Sequence, residues 1–491
     1  MNPPVSLPLR AAASAIIVCR RRGLHLLWVR RSEANPFLGG FHSFPGGRHA
    51  REDGHLAEEE PVYLETMIRC AARETFEETG LLLGFEGAPP PPAEQQALRR
   101  EVLAGKREFW PAAGRWGLRL DPGRYVPCGR WITPHFSRAR FNTNFFLVET
   151  EDLHPVDVWP GELDQGGWVE PARALALWDA DRVVLAMPTL HVIRVLAEGA
   201  HGLPARLHGI PEANGVPSRH VHVRPAVTMI PLRSETIPPA THTNATVVGD
   251  GDVAIVDPAT ADEEELSGLD RVVREALGPG GRVRAILLTH RHRDHVAGAG
   301  AARERYGAPV WAHPGCADGA RIDRALAEGE VIDLPGRHPR RLRVLETPGH
   351  SRSHLAFLEE TSGTLIAGDL VSGISTVVID PPDGNMRDYL ATLARLRAMG
   401  IAALIPGHGA PHRGVDRLLD ALIEHRRARE SRILHALAAG PAGEEALRER
   451  VYADTPDADP ALAARTLRAH LEMLETEGRV RRSGGGFALA G

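Results

Sequence analysis

Residues 288–298, LTHRHRDHVAG, put three histidines and an aspartate into six positions directly after the apolar run AILL. The segment AILLT at 285–289 reads as a short buried strand. The donors then fall in the loop at its C-terminal end, where open α/β sheets gather their chemistry. Imidazoles and a carboxylate this crowded are the donor types that share a divalent cation. His290 and His292, two apart, can project toward one ion, while Asp294 and His295 turn toward a second about 3.5–4 Å away. Further single donors follow: His350 in ETPGHSRSH, Asp369 in LIAGDLVSG and His408 in IPGHG, each behind a strand-like run, RLRVLE, GTLIAGD and AALIP.

Such a site needs a large sheet-based core, and the chain is long enough for more than one. Its 491 residues, 43% hydrophobic and 25% charged, predict two large soluble domains and a small third. A formal net charge of -5 excludes a global positive field drawing the chain to nucleic acid or anionic lipid. Cys19, Cys70, Cys128 and Cys316 are scattered, with no CxxC pair, so neither a disulfide framework nor a thiolate zinc site is indicated. The apolar segment AAASAIIVC is too short to span a bilayer and reads as a first buried strand. The expectation is a cytoplasmic protein with no membrane partner.

Residues 201–223 carry Gly, Pro and His without helical or strand periodicity and read as a linker between a domain over 1–200 and a second over 224–425. Beyond 425 a helical pattern takes over and ends in a Gly-rich turn and FALA, which predicts a small appended domain over 426–491.

The first domain holds its own acidic cluster. Apolar residues at 64, 67, 68, 71 and 72, continued by Thr75, keep a helical period, and Gly80 stands where a C-terminal cap belongs. Glu74, Glu77 and Glu78 share one face of that helix at spacings i, i+3 and i+4, a concentration of hard oxygen ligands that suits Mg2+ or Mn2+.

FPGG at 44–47, Glu65 and RETFEETGL at 73–81 resemble the Nudix box. Gly47 and Glu65 enclose seventeen residues, twelve more than that box holds, so HAREDGHLAEEE reads as an inserted loop. With RWITPHFSRARFNTNFFLVE at 130–149, the insertion is similar to the coenzyme A diphosphatase branch. The resemblance implies an α/β/α sandwich that hydrolyses a nucleotide diphosphate or a coenzyme A-like substrate. Glu74, Glu77 and Glu78 would hold Mg2+ or Mn2+, Arg73 would orient Glu77, one glutamate would act as base, and Glu162 is a candidate late ligand.

The HxHxDH, His, Asp, His series resembles the metallo-β-lactamase fold, an αββα four-layer sandwich with a dinuclear centre. The resemblance implies His290, His292 and His350 on one ion, Asp294, His295 and His408 on the other, and Asp369 bridging. Zinc is the first expectation, with manganese or iron as alternatives. Asp257 in VAIVDP resembles the fold's early supporting aspartate. Residues 224–491 look most like the lactamase-β-like protein 2 group, whose tail is winged-helix-like. The whole is therefore an α/β and α+β multidomain chain. This group implies hydrolysis of single-stranded RNA by a dinuclear hydroxide, with Asp294 catalytic. A thioesterase, or a Nudix half that only senses ligand, is the alternative. Residues 426–491 hold 11 Arg and 10 Asp or Glu, a net charge of only +1, so a strong nucleic-acid grip is not evident.

Overall fold

A computed structural model describes residues 8–21, 23–35, 38–57, 61–134, 137, 139–159 and 161–490. The chain divides into two compact units, 1–225 and 226–491.

In the first unit the strand Arg10–Cys19 lies parallel to Phe141–Thr150 and antiparallel to His25–Arg31. Successive residues of a strand face opposite sides, and this strand is buried on both. Ala13, Ala15 and Ile17 pack on the helix Val62–Thr79, while Ile16 and Val18 pack against residues of Pro171–Asp179 and Met187–Ala197. The result is helix, sheet, helix in three layers. Gly80, at φ 77, returns its N–H to the Phe76 carbonyl and closes the acidic helix as expected. Residues 201–223 depart from the linker reading. They hold the short helix Leu203–Leu207, and Leu203, Leu207 and Ala213 are buried in the first unit's core. A five-residue helix is too short to show periodicity.

The second unit contains two mixed sheets, each covered by helices on its outer face. One includes Val227–Arg233, His242–Val248, Val253–Val256, Val283–Leu287 and Val310–Ala312, and Glu263–Ala276 packs over it. The other runs through Arg340–Glu346, Leu355–Glu359, Thr364–Ser372 and Ala403–His408, and Met386–Arg397 covers it. The sheets are tied together where Asn244 Nδ2 donates to the Pro406 and Gly409 carbonyls, at 2.8 Å each. This is the expected αββα arrangement.

The helices Glu444–Val451 and Pro460–Thr476, with the hairpin Val480–Ser483 and Gly486–Leu489, form a winged-helix domain with its own small core of Leu447, Leu467, Leu471, Val480 and Phe487. The helix Val415–Ala438 crosses the boundary expected at 425 and serves both cores: Val415 and Leu419 pack in one, Ile433 and Leu437 in the other. Among the described residues no helix is long and apolar enough to cross a membrane.

Candidate metal centres

In the second unit every donor singled out in the sequence arrives at one place. His290 and His292 follow the strand Val283–Leu287, and Asp294 and His295 sit in the turn of helix Arg293–Val296. His350 lies beyond Arg340–Glu346, Asp369 within Thr364–Ser372, and His408 ends Ala403–His408. His290 Nε2 lies 3.0 Å and His350 Nε2 2.9 Å from His292 Nδ1. Beside them, Asp294 Oδ2 is 3.9 Å from His295 Nε2 and 3.5 Å from His408 Nε2. Asp369 stands between the groups, with Oδ1 3.4 Å from His295 Nε2 and 3.3 Å from His408 Nε2, and Oδ2 3.6 Å from His350 Nε2. The triplets His290–His292–His350 and Asp294–His295–His408 each gather donor atoms within 4.8 Å.

The surrounding hydrogen bonds leave these nitrogens free to donate lone pairs. Asp257 Oδ1 accepts from the Thr289 N–H, and Oδ2 accepts from the Thr289 hydroxyl at 2.6 Å and from His295 Nδ1 at 2.7 Å. Since the Thr289 hydroxyl gives its only proton to Asp257, His290 Nδ1 at 3.0 Å is the donor to it. His350 Nδ1 donates to the Val378 carbonyl at 2.7 Å, and His408 Nδ1 to the His242 carbonyl at 2.8 Å. In each ring the proton is thus held away from the cluster and Nε2 is turned toward it. Burial and neighbouring imidazoles push His290 well below the ordinary range and His292 down to about 4, so both rings are neutral. Burial opposes charge on His295, but Asp369 and Asp257 overcome it and raise its pKa. His295 Nε2 and Asp369 Oδ1 are buried without a hydrogen-bond partner. Two orphaned polar atoms facing one another across a cluster of nitrogen donors fit a dinuclear metal site.

Asp257 has the supporting place expected of it, held at φ 47. His354 is buried beneath the centre with its ring stacked on His290 at 5.1 Å. Asp383 had no sequence signal: it faces His292 Nε2 at 3.7 Å and accepts from Arg291 Nε at 3.2 Å.

In the first unit Glu74, Glu77 and Glu78 also face one patch, but it is walled in. Gly46 N–H donates to Glu78 Oε2 at 2.9 Å, and Arg73 Nη1 donates to Glu74 and Glu77, at 3.0 Å each. Arg73 therefore orients two glutamates. It is itself clamped by Asp53, whose two oxygens accept from Nε and Nη2 at 2.8 Å each. Asp53 belongs to the inserted loop, is fully buried, and also accepts from Trp110 Nε1 at 3.1 Å. The insertion is thus built into the site. Its last residues, Glu58, Glu59 and Glu60, lie outside the described residues. Burial, against the pull of Arg73, pushes Glu74 up to about 8, and burial with the neighbouring Glu74 charge raises Glu78 well above the ordinary carboxylate range. Glu162 is exposed, yet its charge adds to the rise in both. Buried carboxylates that resist ionisation beside one arginine fit a hard divalent cation.

Residues 238–408 match the family model of the metallo-beta-lactamase superfamily, and residues 444–487 that of the beta-lactamase associated winged helix domain. A hydroxyacylglutathione hydrolase of Cereibacter sphaeroides is 33% identical over 186 residues, 36% of this chain and 67% of that protein. A beta-lactamase-like protein 2 homolog of Caenorhabditis elegans is 27% identical over 204 residues, covering 40% of this chain and 66% of that protein. A putative nudix hydrolase 7 of the same organism is 24% identical over 192 residues, covering 38% and 61%. The chain spans about half the length, 48%, of the first curated relatives it matches.

Proposed function

The chain belongs to the metallo-β-lactamase superfamily, and from that premise we propose a hydrolase with two metal centres, one in each unit, acting on the two labile bonds of an acyl-coenzyme A-like molecule. The second unit would cut the thioester and the first, a Nudix-type site, the diphosphate.

The thioester is preferred to RNA on one observation. Seven of the 11 arginines in 426–491, at 429, 432, 448, 465, 468, 479 and 482, are ion-paired to carboxylates of the second unit. Two of the three arginines at the wing, Arg479 and Arg482, are among them. Phosphate recognition needs basic side chains left free to displace counterions. The relative named for hydroxyacylglutathione, itself a thioester, supports the same reading.

His290, His292 and His350 would hold one ion, Asp294, His295 and His408 the other, with Asp369 between. Bound divalent ions supply a Lewis acid for the carbonyl oxygen and acidify a water near neutral pH. Asp257 holds the Nδ1 proton of His295 outward, and Asp294 accepts the proton that the attacking water gives up. In the first unit Glu74, Glu77 and Glu78 would hold Mg2+ or Mn2+, Arg73 keeps Glu74 and Glu77 aligned, and Glu77 takes the proton of the water that attacks phosphorus.

The test is the purified full chain, supplied with metal, against acyl-coenzyme A, free coenzyme A and an unstructured RNA oligonucleotide, with Asp294→Ala and Glu77→Gln. Thiol release should vanish only in the first variant and diphosphate cleavage only in the second, with RNA intact. RNA cleavage lost in Asp294→Ala would return the second unit to ribonuclease chemistry. A wild-type chain without diphosphatase turnover would make the first unit a sensor.

A further inference from the structure

The helix Val415–Ala438 joins the sandwich to the winged-helix domain, and at the junction its buried face turns from aliphatic to cationic. Arg426 and Arg429 are 3% and 5% exposed between Leu419 and Ile433. A buried guanidinium needs acceptors to offset desolvation, and these two direct their terminal nitrogens in opposite directions, while Arg426 Nε stays buried without a hydrogen-bond partner. Arg429 serves the winged helix: it donates to the Val451 carbonyl, pairs with Asp454 at 2.8 Å and lies 4.2 Å over the Tyr452 ring.

Arg426 serves the metal centre. Its Nη2 donates to the Val377 carbonyl, and the next carbonyl along, Val378, accepts from His350 Nδ1 at 2.7 Å. The same guanidinium lies 5.3 Å over the ring of Tyr389, whose hydroxyl donates to the Leu370 carbonyl at 2.9 Å, directly after Asp369. Tyr389 also backs the turn that carries His350: a Cβ on Gly349 would fall 2.4 Å from the Tyr389 Cα. Two short routes therefore lead from one side chain to two of the donors. A second tie from the winged helix reaches the same loop, Arg465 to Asp380 at 3.4 Å, and Ala469 and Met473 share a core with Val377 and Ile379.

We propose that Arg426 is a positioning residue for the dinuclear centre, setting the His350 ring through Val377 and Val378 and the Asp369 strand through Tyr389. The winged-helix domain is then a buttress of the metal site. The inference rests on the metal-site reading of the second unit. Partners outside the ligand sphere typically change metal affinity about 10–100-fold when removed.

The experiment titrates Co2+ into chelator-stripped full-length protein, following the visible ligand-field bands and the bound metal by elemental analysis. Arg426→Met should bind cobalt about 10–100-fold more weakly with altered bands, and Arg426→Lys, which keeps one donor for Val377, should recover most of the affinity. Tyr389→Phe, which keeps the ring and deletes only the bond to Leu370, should shift the bands with a smaller loss and stands in should Arg426→Met not fold. Arg429→Met should lower the unfolding midpoint while leaving cobalt affinity at the wild-type value. Wild-type affinity and bands in Arg426→Met, or an equal loss in Arg429→Met, overturns the positioning role alone. A wild-type protein that takes up no cobalt overturns the metal-site reading and this inference with it.

Discussion

At the scale of residues, each centre depends on one missing methyl group. A Cβ on Gly47 would lie 2.4 Å from Glu74 Oε2, and one on Gly407 would lie 2.1 Å from Asp369 Oδ1. Neither glycine has a left-handed φ; a Cβ at Gly47 meets the Glu74 carboxylate, whereas one at Gly407 also comes within 3.0 Å of His295 Cε1 and 3.1 Å of the Gly368 carbonyl carbon. Gly47→Ala should reduce diphosphatase turnover, and Gly407→Ala metal uptake by the second unit, each about 10–100-fold, with far-ultraviolet circular dichroism unchanged. His470 gives the second prediction at this scale. It is fully buried, both ring nitrogens lack a hydrogen-bond partner, and burial with Arg426 and Arg429 nearby pushes its pKa from 6.5 down to about 3. Between those values the unfolded chain binds a proton that the fold excludes. The contribution of neutral His470 is therefore complete above 6.5 and lost as pH falls, by about 1.4 kcal/mol per unit. Denaturant unfolding of chelator-treated protein should show wild type losing about 2 kcal/mol more than His470→Leu between pH 7 and pH 5; parallel profiles would refute it. The donors of the second unit were readable because each is a distinctive side chain at a strand end. The Val378 carbonyl that orients His350 leaves no mark in a sequence, since every residue offers a carbonyl.

Among elements, the loop inserted after Gly47 shows what periodicity misses. The helix Val62–Thr79 announced itself by its apolar spacing and its capping glycine, whereas Asp53 looked like one acid among several in a polar stretch. Its partners, Arg73 and Trp110, lie 20 and 57 residues away. The carboxylate face of the helix is covered by this loop and by the turn at 46–48, and the burial is why its glutamates resist ionisation. The segment 201–223 misled for a related reason, since Leu203, Leu207 and Ala213 are too few to reveal a buried element. Asp53 and Arg73 are both buried, and removing Asp53 leaves Arg73 Nε without its acceptor, although Nη1 keeps Glu74 and Glu77 and Nη2 keeps the Arg48 carbonyl. Asp53→Ala should cost about 3–5 kcal/mol in the first unit, read as a lower denaturant midpoint for the first-unit transition, with the second unit's cobalt spectrum unchanged. A loss below about 1 kcal/mol would mean the loop is not clamped to the site.

For the whole molecule, charge favours the thioester over RNA in the proposed reading of the second unit. The excess of acids gives a net charge of -5, and the cations of the C-terminal domain are largely spent on its own acids and on Asp380. A protein that grips RNA through Z phosphates loses affinity with salt at a slope of about -0.7Z for single strands. Here few basic side chains remain to release counterions, so fluorescence anisotropy with a labelled single-stranded RNA should give a Kd weaker than about 10⁻⁴ M at physiological salt and almost no salt slope. A steep slope would mean that the ion pairs open to receive phosphate, at the cost of each pair broken, and would move the second unit toward the ribonuclease reading. The same measurement on Arg479→Ala and Arg482→Ala separates the cases. If the wing is a packing surface, neither variant changes RNA retention; if it reads phosphate, each should make the slope shallower by about 0.7.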